Sequence, residues 1–171
     1  MGWSLLLILY LQVAHLCSFA LVILLLLMAL TRRASSLAHF TTLYNISGSY
    51  NIGSGDLTLY NNTHGTANIA SGFAALYNNT TGAANIASGY RALYENTTGD
   101  DNIASGYTAL YYNTTGEHNV ASGFEALKGN TTGGYNMASG YQALGGATNT
   151  GSYNDASGYR ALYSNTTGGY N

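Results

Sequence analysis

One 17-residue unit recurs, almost without interruption, from Asn51 to the last residue. It reads N-[I/V/M]-A-S-G-[F/Y]-x-A-L-Y-x-N-T-T-G-x-x, with copies opening at Asn51, Asn68, Asn85, Asn102, Asn119, Asn136 and Asn154. Six steps are of 17 residues and one is of 18, and Asn171 opens an eighth copy. A unit this short is no domain. Its few apolar side chains cannot offset the entropy of ordering a whole unit in isolation. Each copy must therefore be one coil of a stacked array, burying itself against its neighbours. The fold class that follows is all-β: a β-solenoid, either β-roll or β-helix, of 17-residue coils spanning 51–171.

Variation among the copies sorts the positions, numbered 1 to 17 from the opening Asn. Ser at 4, Gly at 5, Leu at 9 and Gly at 15 occur in every copy. Position 7 holds Leu57, Ala74, Arg91, Thr108, Glu125, Gln142 and Arg160, and this freedom marks an outward site. Fixed small or apolar residues mark sites that interlock with the next coil. Positions 1–4 read as a short strand, with position 2 and Ser at 4 on one face, and Gly at 5 breaks it. Positions 6–10 read as a second strand or a turn of helix. Simple alternation from position 7 would send the invariant Leu outward, which argues for a turn or bulge. N-T-T-G reads as a turn. Stacking places identical side chains in rows, foremost Leu59, Leu76, Leu93, Leu110, Leu127, Leu144 and Leu162, with Asn rows able to hydrogen-bond along the axis.

The N-terminus is of another kind. Residues 1–31 carry no charged side chain, and Phe19–Leu30 is unbroken apolar sequence. About 20 apolar residues suffice for a helix to cross a bilayer, so 1–31 is read as a transmembrane α-helix acting as signal-anchor or signal segment. Cleavage after Ser36, or processing at Arg32-Arg33, are the alternatives to retention. The two arginines favour a cytoplasmic array, whereas the sequons below favour an external one; the external reading is adopted. Residues 32–50 read as a linker and a degenerate first coil, since Leu43-Tyr44-Asn45 and Gly48-Ser49-Tyr50 echo the repeat. The array stops in mid-pattern, which leads to the expectation of a truncated C-terminus and an open edge available for self-assembly.

The pattern, as in Asn85-Ile86-Ala87-Ser88-Gly89-Tyr90-Arg91-Ala92-Leu93-Tyr94-Glu95-Asn96-Thr97-Thr98-Gly99, resembles the N-T-A-x-G-Y-x-A-L-Y-x-N-T-T-G repeats of bacterial surface adhesins and phage tail-fibre-like proteins. Those are similar to the head β-rolls of trimeric autotransporter adhesins. The resemblance covers 51–171 and implies an extracellular β-solenoid and a homotrimer. No barrel anchor follows the array, and the hydrophobic segment lies at the opposite end.

Candidate chemistry is sparse. Asn45, Asn61, Asn78, Asn79, Asn96, Asn113, Asn130 and Asn165 are N-glycosylation candidates by sequon, and on an outward edge they would give a glycan-coated rod. The competing reading is that N-T-T-G is simply a good turn. The row Tyr60, Tyr77, Tyr94, Tyr111 and Tyr163 reads as a structural ladder before it reads as a carbohydrate platform. Paired threonines suggest an ice-binding solenoid, but neighbours on a strand face opposite ways. Asp56, Asp100, Asp101 and Asp155 recur at no fixed place, and the four histidines share no ligand spacing, so no metal or cofactor is expected. A net charge of −2 gives no reason to bind nucleic acid. Cys17 stands alone and forms no intrachain disulfide. No acid, base and nucleophile converge, so no enzyme is expected. The expected function is an extracellular structural rod or fibre at the cell surface, anchored through its N-terminus and assembling end-to-end or laterally with itself. The alternatives are an adhesin for a carbohydrate or host surface and an ice-binding protein.

Overall fold

The computed structural model describes residues 47–146 and 148–171. The apolar segment 1–31, most of the linker and Asn45 lie outside the described residues. Among the described residues no helix is long and apolar enough to cross a membrane.

The described chain is a parallel β-solenoid. Seven strands of three residues, β1 (Ile52–Ser54), β2 (Ile69–Ser71), β3 (Ile86–Ser88), β4 (Ile103–Ser105), β5 (Val120–Ser122), β6 (Met137–Ser139) and β7 (Asp155–Ser157), form one sheet in sequence order. Every pairing is parallel and sets equivalent repeat positions on one another, as with Ile86 on Ile103, Ala87 on Ala104 and Ser88 on Ser105. The one longer copy keeps the register, with Ala138 on Ala156.

Strand covers only three residues of each coil, yet backbone pairing continues far beyond it. In the coil opening at Asn85, Ile86 N–H donates to the Asn102 carbonyl (2.8 Å) and Gly89 N–H to Ser71 (2.8 Å). Arg91 N–H reaches Phe73 (2.8 Å), Leu93 reaches Ala109 (3.0 Å), Glu95 reaches Tyr111 (3.0 Å) and Thr97 reaches Thr114 (2.9 Å). Roughly alternate amides thus reach up or down the axis, which is how buried backbone groups stay paired without long strands. The segment after Gly at 5 is accordingly neither a second strand nor a helical turn. It is a bent path with left-handed residues at positions 7 and 9: φ is 52° at both Arg91 and Leu93. A third left-handed residue closes the coil at position 17, such as Asp101 at 55°. Side-chain-bearing residues there cost about 1–2 kcal/mol each relative to right-handed backbone, and they persist because the neighbouring rungs fix them.

This path settles the invariant Leu. Ala at 8 and Leu at 9 are consecutive and both face inward, as Ala92 and Leu93 do with no exposure, an arrangement that a flat strand forbids. With Ala at 3 they make the core: rows through Ala87, Ala92 and Leu93 and their equivalents. Position 2 does not join it. Each strand buries only its central residue, so Ile86 and Ile103 point outward, as do Ser88 and Ser105. Ser at 4 therefore has no interior packing role.

The core is narrow enough at positions 3 and 8 for one methyl group from each. The first coil shows this by compensation. It has Gly53 in place of Ala and Thr58 in place of Ala, and a Cβ on Gly53 would lie 2.8 Å from Thr58 Oγ1. Thr58 Oγ1 also donates to the Gly55 carbonyl at 3.1 Å. Gly53→Ala alone is expected to destabilise by about 1–3 kcal/mol through overpacking. Adding Thr58→Ala recreates the Ala/Ala pair of the other coils and should recover most of that loss. A double-mutant cycle by thermal or urea unfolding reads the coupling; strictly additive losses would show that the two positions do not share space.

Candidate functional site

Two interior asparagine rows converge on one backbone carbonyl in every coil but the longer one that opens at Asn136. Asn102 Nδ2 donates to the Gly116 carbonyl at 2.8 Å, and Asn113 Nδ2 donates to the same oxygen at 2.9 Å. Each row is also linked along the axis. Asn119 N–H and its Nδ2 both donate to Asn102 Oδ1, at 3.0 and 3.1 Å. In the other row Asn113 Nδ2 donates to Asn96 Oδ1 at 2.9 Å. An amide carries donor and acceptor on one planar head, so a single residue type can serve both the rung above and its own turn. The glycine at position 15 is required by close approach: a Cβ on Gly82 would lie 2.6 Å from the Gly99 carbonyl of the next coil. Gly at 5 is required by conformation, with φ of 117° at Gly72 and 146° at Gly106.

These rows decide where the sequons lie. Asn79, Asn96, Asn113 and Asn130 are fully buried, with their side-chain nitrogens committed to interior hydrogen bonds. They occupy no outer edge, and a glycan on Nδ2 there has no route to solvent. Asn61 and Asn78 stand one residue earlier, half-exposed, in an outer chain in which Asn61 Nδ2 donates to Asn78 Oδ1 and Asn78 Nδ2 donates to Glu95 Oε2, both at 2.9 Å. Asn165 is half-buried in the last coil. The leucines Leu59, Leu76, Leu93, Leu110, Leu127 and Leu144 form a buried apolar row, and Leu162 packs partly buried at its end.

Outside, three aromatic rows run along the array. Tyr60, Tyr77, Tyr94 and Tyr111 stack at centroid spacings of 5.0 to 5.1 Å. Phe73, Tyr90, Tyr107, Phe124, Tyr141 and Tyr159 form a second row, with 5.0 Å between Tyr90 and Tyr107. His118, Tyr135, Tyr153 and Tyr170 form a third. Rings stacked face to face cover one another's faces, so a row interior offers a ligand only edges. The adjacent threonines divide similarly. Thr97 Oγ1 donates to the Thr114 carbonyl at 3.0 Å, while Thr98 is exposed, leaving one outward threonine column rather than two.

The first tyrosine row ends at Tyr111. The next two coils carry Lys128 and Gly145 at position 10, then Gly129 and Gly146 at position 11. Lys128 Nζ instead donates to Glu125 Oε1 at 2.6 Å, and Gln142 Nε2 donates to Glu125 Oε2 at 2.6 Å. Burial pushes the Glu125 carboxyl upward, but these two donors outweigh it and hold it below its ordinary range. The same bond raises Lys128. Loss of both position-11 side chains opens a groove of about 700 Å³, lined by Glu95, Tyr112, Thr114, Gly129, Thr131, Gly146 and Thr148. The longer copy also breaks the inner amide row. Asn149 Oδ1 turns to its own Gly151 N–H at 2.8 Å, leaving Asn149 Nδ2 and Asn130 Oδ1, both buried, without partners.

Among the described residues no group of three or more His, Cys, Asp or Glu is placed to hold a metal. Sequence reasoning named the glycosylation motifs and the leucine row but missed the groove. Its signal was available in the run Glu95, Tyr112, Gly129, Gly146 down one column. No protein-family model, curated protein or solved structure matches the chain.

Two outcomes follow from the amide rows. Asn102→Ala removes one donor and one acceptor from the buried interior and is expected to cost about 2–4 kcal/mol. Asn78→Ala, on the outer chain, should cost under about 1 kcal/mol; chemical denaturation of both variants compares them. In folded protein secreted from a glycosylating host, glycopeptide mass spectrometry should place sugar only at Asn61, Asn78 or Asn165 among the described sequons. Sugar on Asn96 or Asn113 would contradict the interior rows.

Proposed function

We propose that this chain is an extracellular structural rod that associates side by side with copies of itself, as a homotrimer or larger bundle, and is held at the cell surface through residues 1–31. The observation that carries this reading is the outward row at position 2. Ile52, Ile69, Ile86, Ile103 and Met137 are each 40 to 50% exposed, and they follow one another rung by rung on the outer face of the sheet. Just past Gly at 5 runs the half-exposed aromatic row from Phe73 to Tyr159. Contiguous apolar surface of this kind marks interaction sites rather than free surface. Its periodicity suits a partner with the same rung spacing, which a second copy supplies by construction. The resemblance to adhesin and fibre repeats supports the same reading. Outer sequons at Asn61 and Asn78 fit a surface exposed to a glycosylating compartment.

Light scattering after size exclusion, together with negative-stain imaging, tests the proposal. The expected result is a discrete oligomer or lateral bundle of rods. Ile69→Glu combined with Ile103→Glu, two rungs apart so that the carboxylates do not face each other, should reduce it to monomer while leaving the circular dichroism and core stability intact, because both side chains already face solvent. A wild-type protein that stays monomeric at high concentration would overturn the reading.

A further inference from the structure

The groove above Gly129 and Gly146 has features that the regular rungs lack, and we infer that it is a binding site for a neutral saccharide. It lies along positions 11 and 13, a column separate from the apolar position-2 row, so the inference does not depend on the assembly reading.

The argument begins with ring faces. Along the regular rows each aromatic face is covered by the next ring about 5 Å away. Tyr112 stands outside these rows. It sits at position 11, stands at 76° to Tyr111 with centroids 4.6 Å apart, and is 49% exposed. Where the following coils would carry side chains at position 11, they carry Gly129 and Gly146. The outcome is an oriented aromatic ring beside an open floor of backbone, the arrangement that accepts the C–H face of a pyranose. The volume, about 700 Å³, falls within the usual range of small-molecule sites, roughly 300–1,000 Å³.

The polar groups around the floor are mostly acceptors. Glu95 Oε2 accepts from Asn78, which leaves Oε1 directed to other donors. Thr114 Oγ1 spends its proton on the Thr131 carbonyl at 3.0 Å, so its lone pairs face outward as acceptors. Thr131 is engaged with the Asn149 carbonyl at a longer 3.5 Å, and Thr148 is exposed at the far wall. A carboxylate and hydroxyl oxygens around an aromatic ring complement a ligand that is rich in hydroxyl donors and has one apolar face. A sugar is the ligand class with both properties. A phosphate or sulfate would meet the Glu95 carboxylate with no described cation among the lining residues to offset it.

Gly146 cannot be elaborated, because a Cβ there would collide with the Tyr163 carbonyl and lie 3.0 Å from its ring.

Saturation-transfer NMR on the whole chain, with a panel of methyl glycosides (glucoside, galactoside, mannoside and N-acetylglucosaminide) and the matching disaccharides, provides the test. At least one sugar should show transfer. Tyr112→Ala, which removes an exposed ring, should weaken binding by about tenfold or more. Glu95→Gln should weaken it less. Tyr135→Ala, in another aromatic row, should leave it unchanged. Thermal melts confirm folding of each variant. No transfer from any sugar in the panel, or transfer undiminished in Tyr112→Ala, would overturn the site, whatever the oligomeric state proves to be.

Discussion

Each rung meets a copy of itself about 5 Å away, and the rest of the molecule is arranged around that condition. Identical neighbours mean that any side chain placed inside must be able to bond or pack with itself. Leucine does so by contact. Asparagine does so because its amide head has a donor on one side and an acceptor on the other. A carboxylate would repel its own copy, and a hydroxyl offers only one proton. The interior accordingly holds a leucine row and two asparagine rows, with the glycine carbonyl at position 15 collecting a donor from each asparagine row, as Gly116 does.

That arrangement also explains why so little formal strand suffices. Cohesion comes from amides alternating up and down the axis around most of the coil, and from side-chain amides that extend the same ladder inward. The cost is conformational. Three left-handed residues per coil, such as Arg91, Leu93 and Asp101, would be unfavourable in isolation. They are imposed collectively, since relaxing one rung would break its bonds to two others. Where the period lengthens by one residue, the inner row loses a pair between Asn130 and Asn149, and the outer ladder gives way to the groove beside Tyr112. Irregularity in the repeat and departure from a plain rod thus occur at the same place.

Several residues show how far the sequence could be read. The solenoid and the leucine row were legible because an invariant residue at a fixed period must stack. The burial of Asn96 and its equivalents was not, since N-T-T-G is the same string whether it is a glycosylation motif or an inward turn. Position 2 was legible as apolar, but its outward direction was hidden. The rule that apolar residues go inside gives way where the coil is only wide enough for the methyls of Ala87 and Ala92.

The sequence by itself determined the period, the parallel in-register stacking and the identity of each row, because repetition at a constant spacing permits one alignment of like with like. The tertiary structure alone decided which way each row faces. Facing depends on the signs of φ at positions 7, 9 and 17, and those are set by the requirement that a 17-residue path close on itself above its neighbour, a condition that no local stretch of the chain contains.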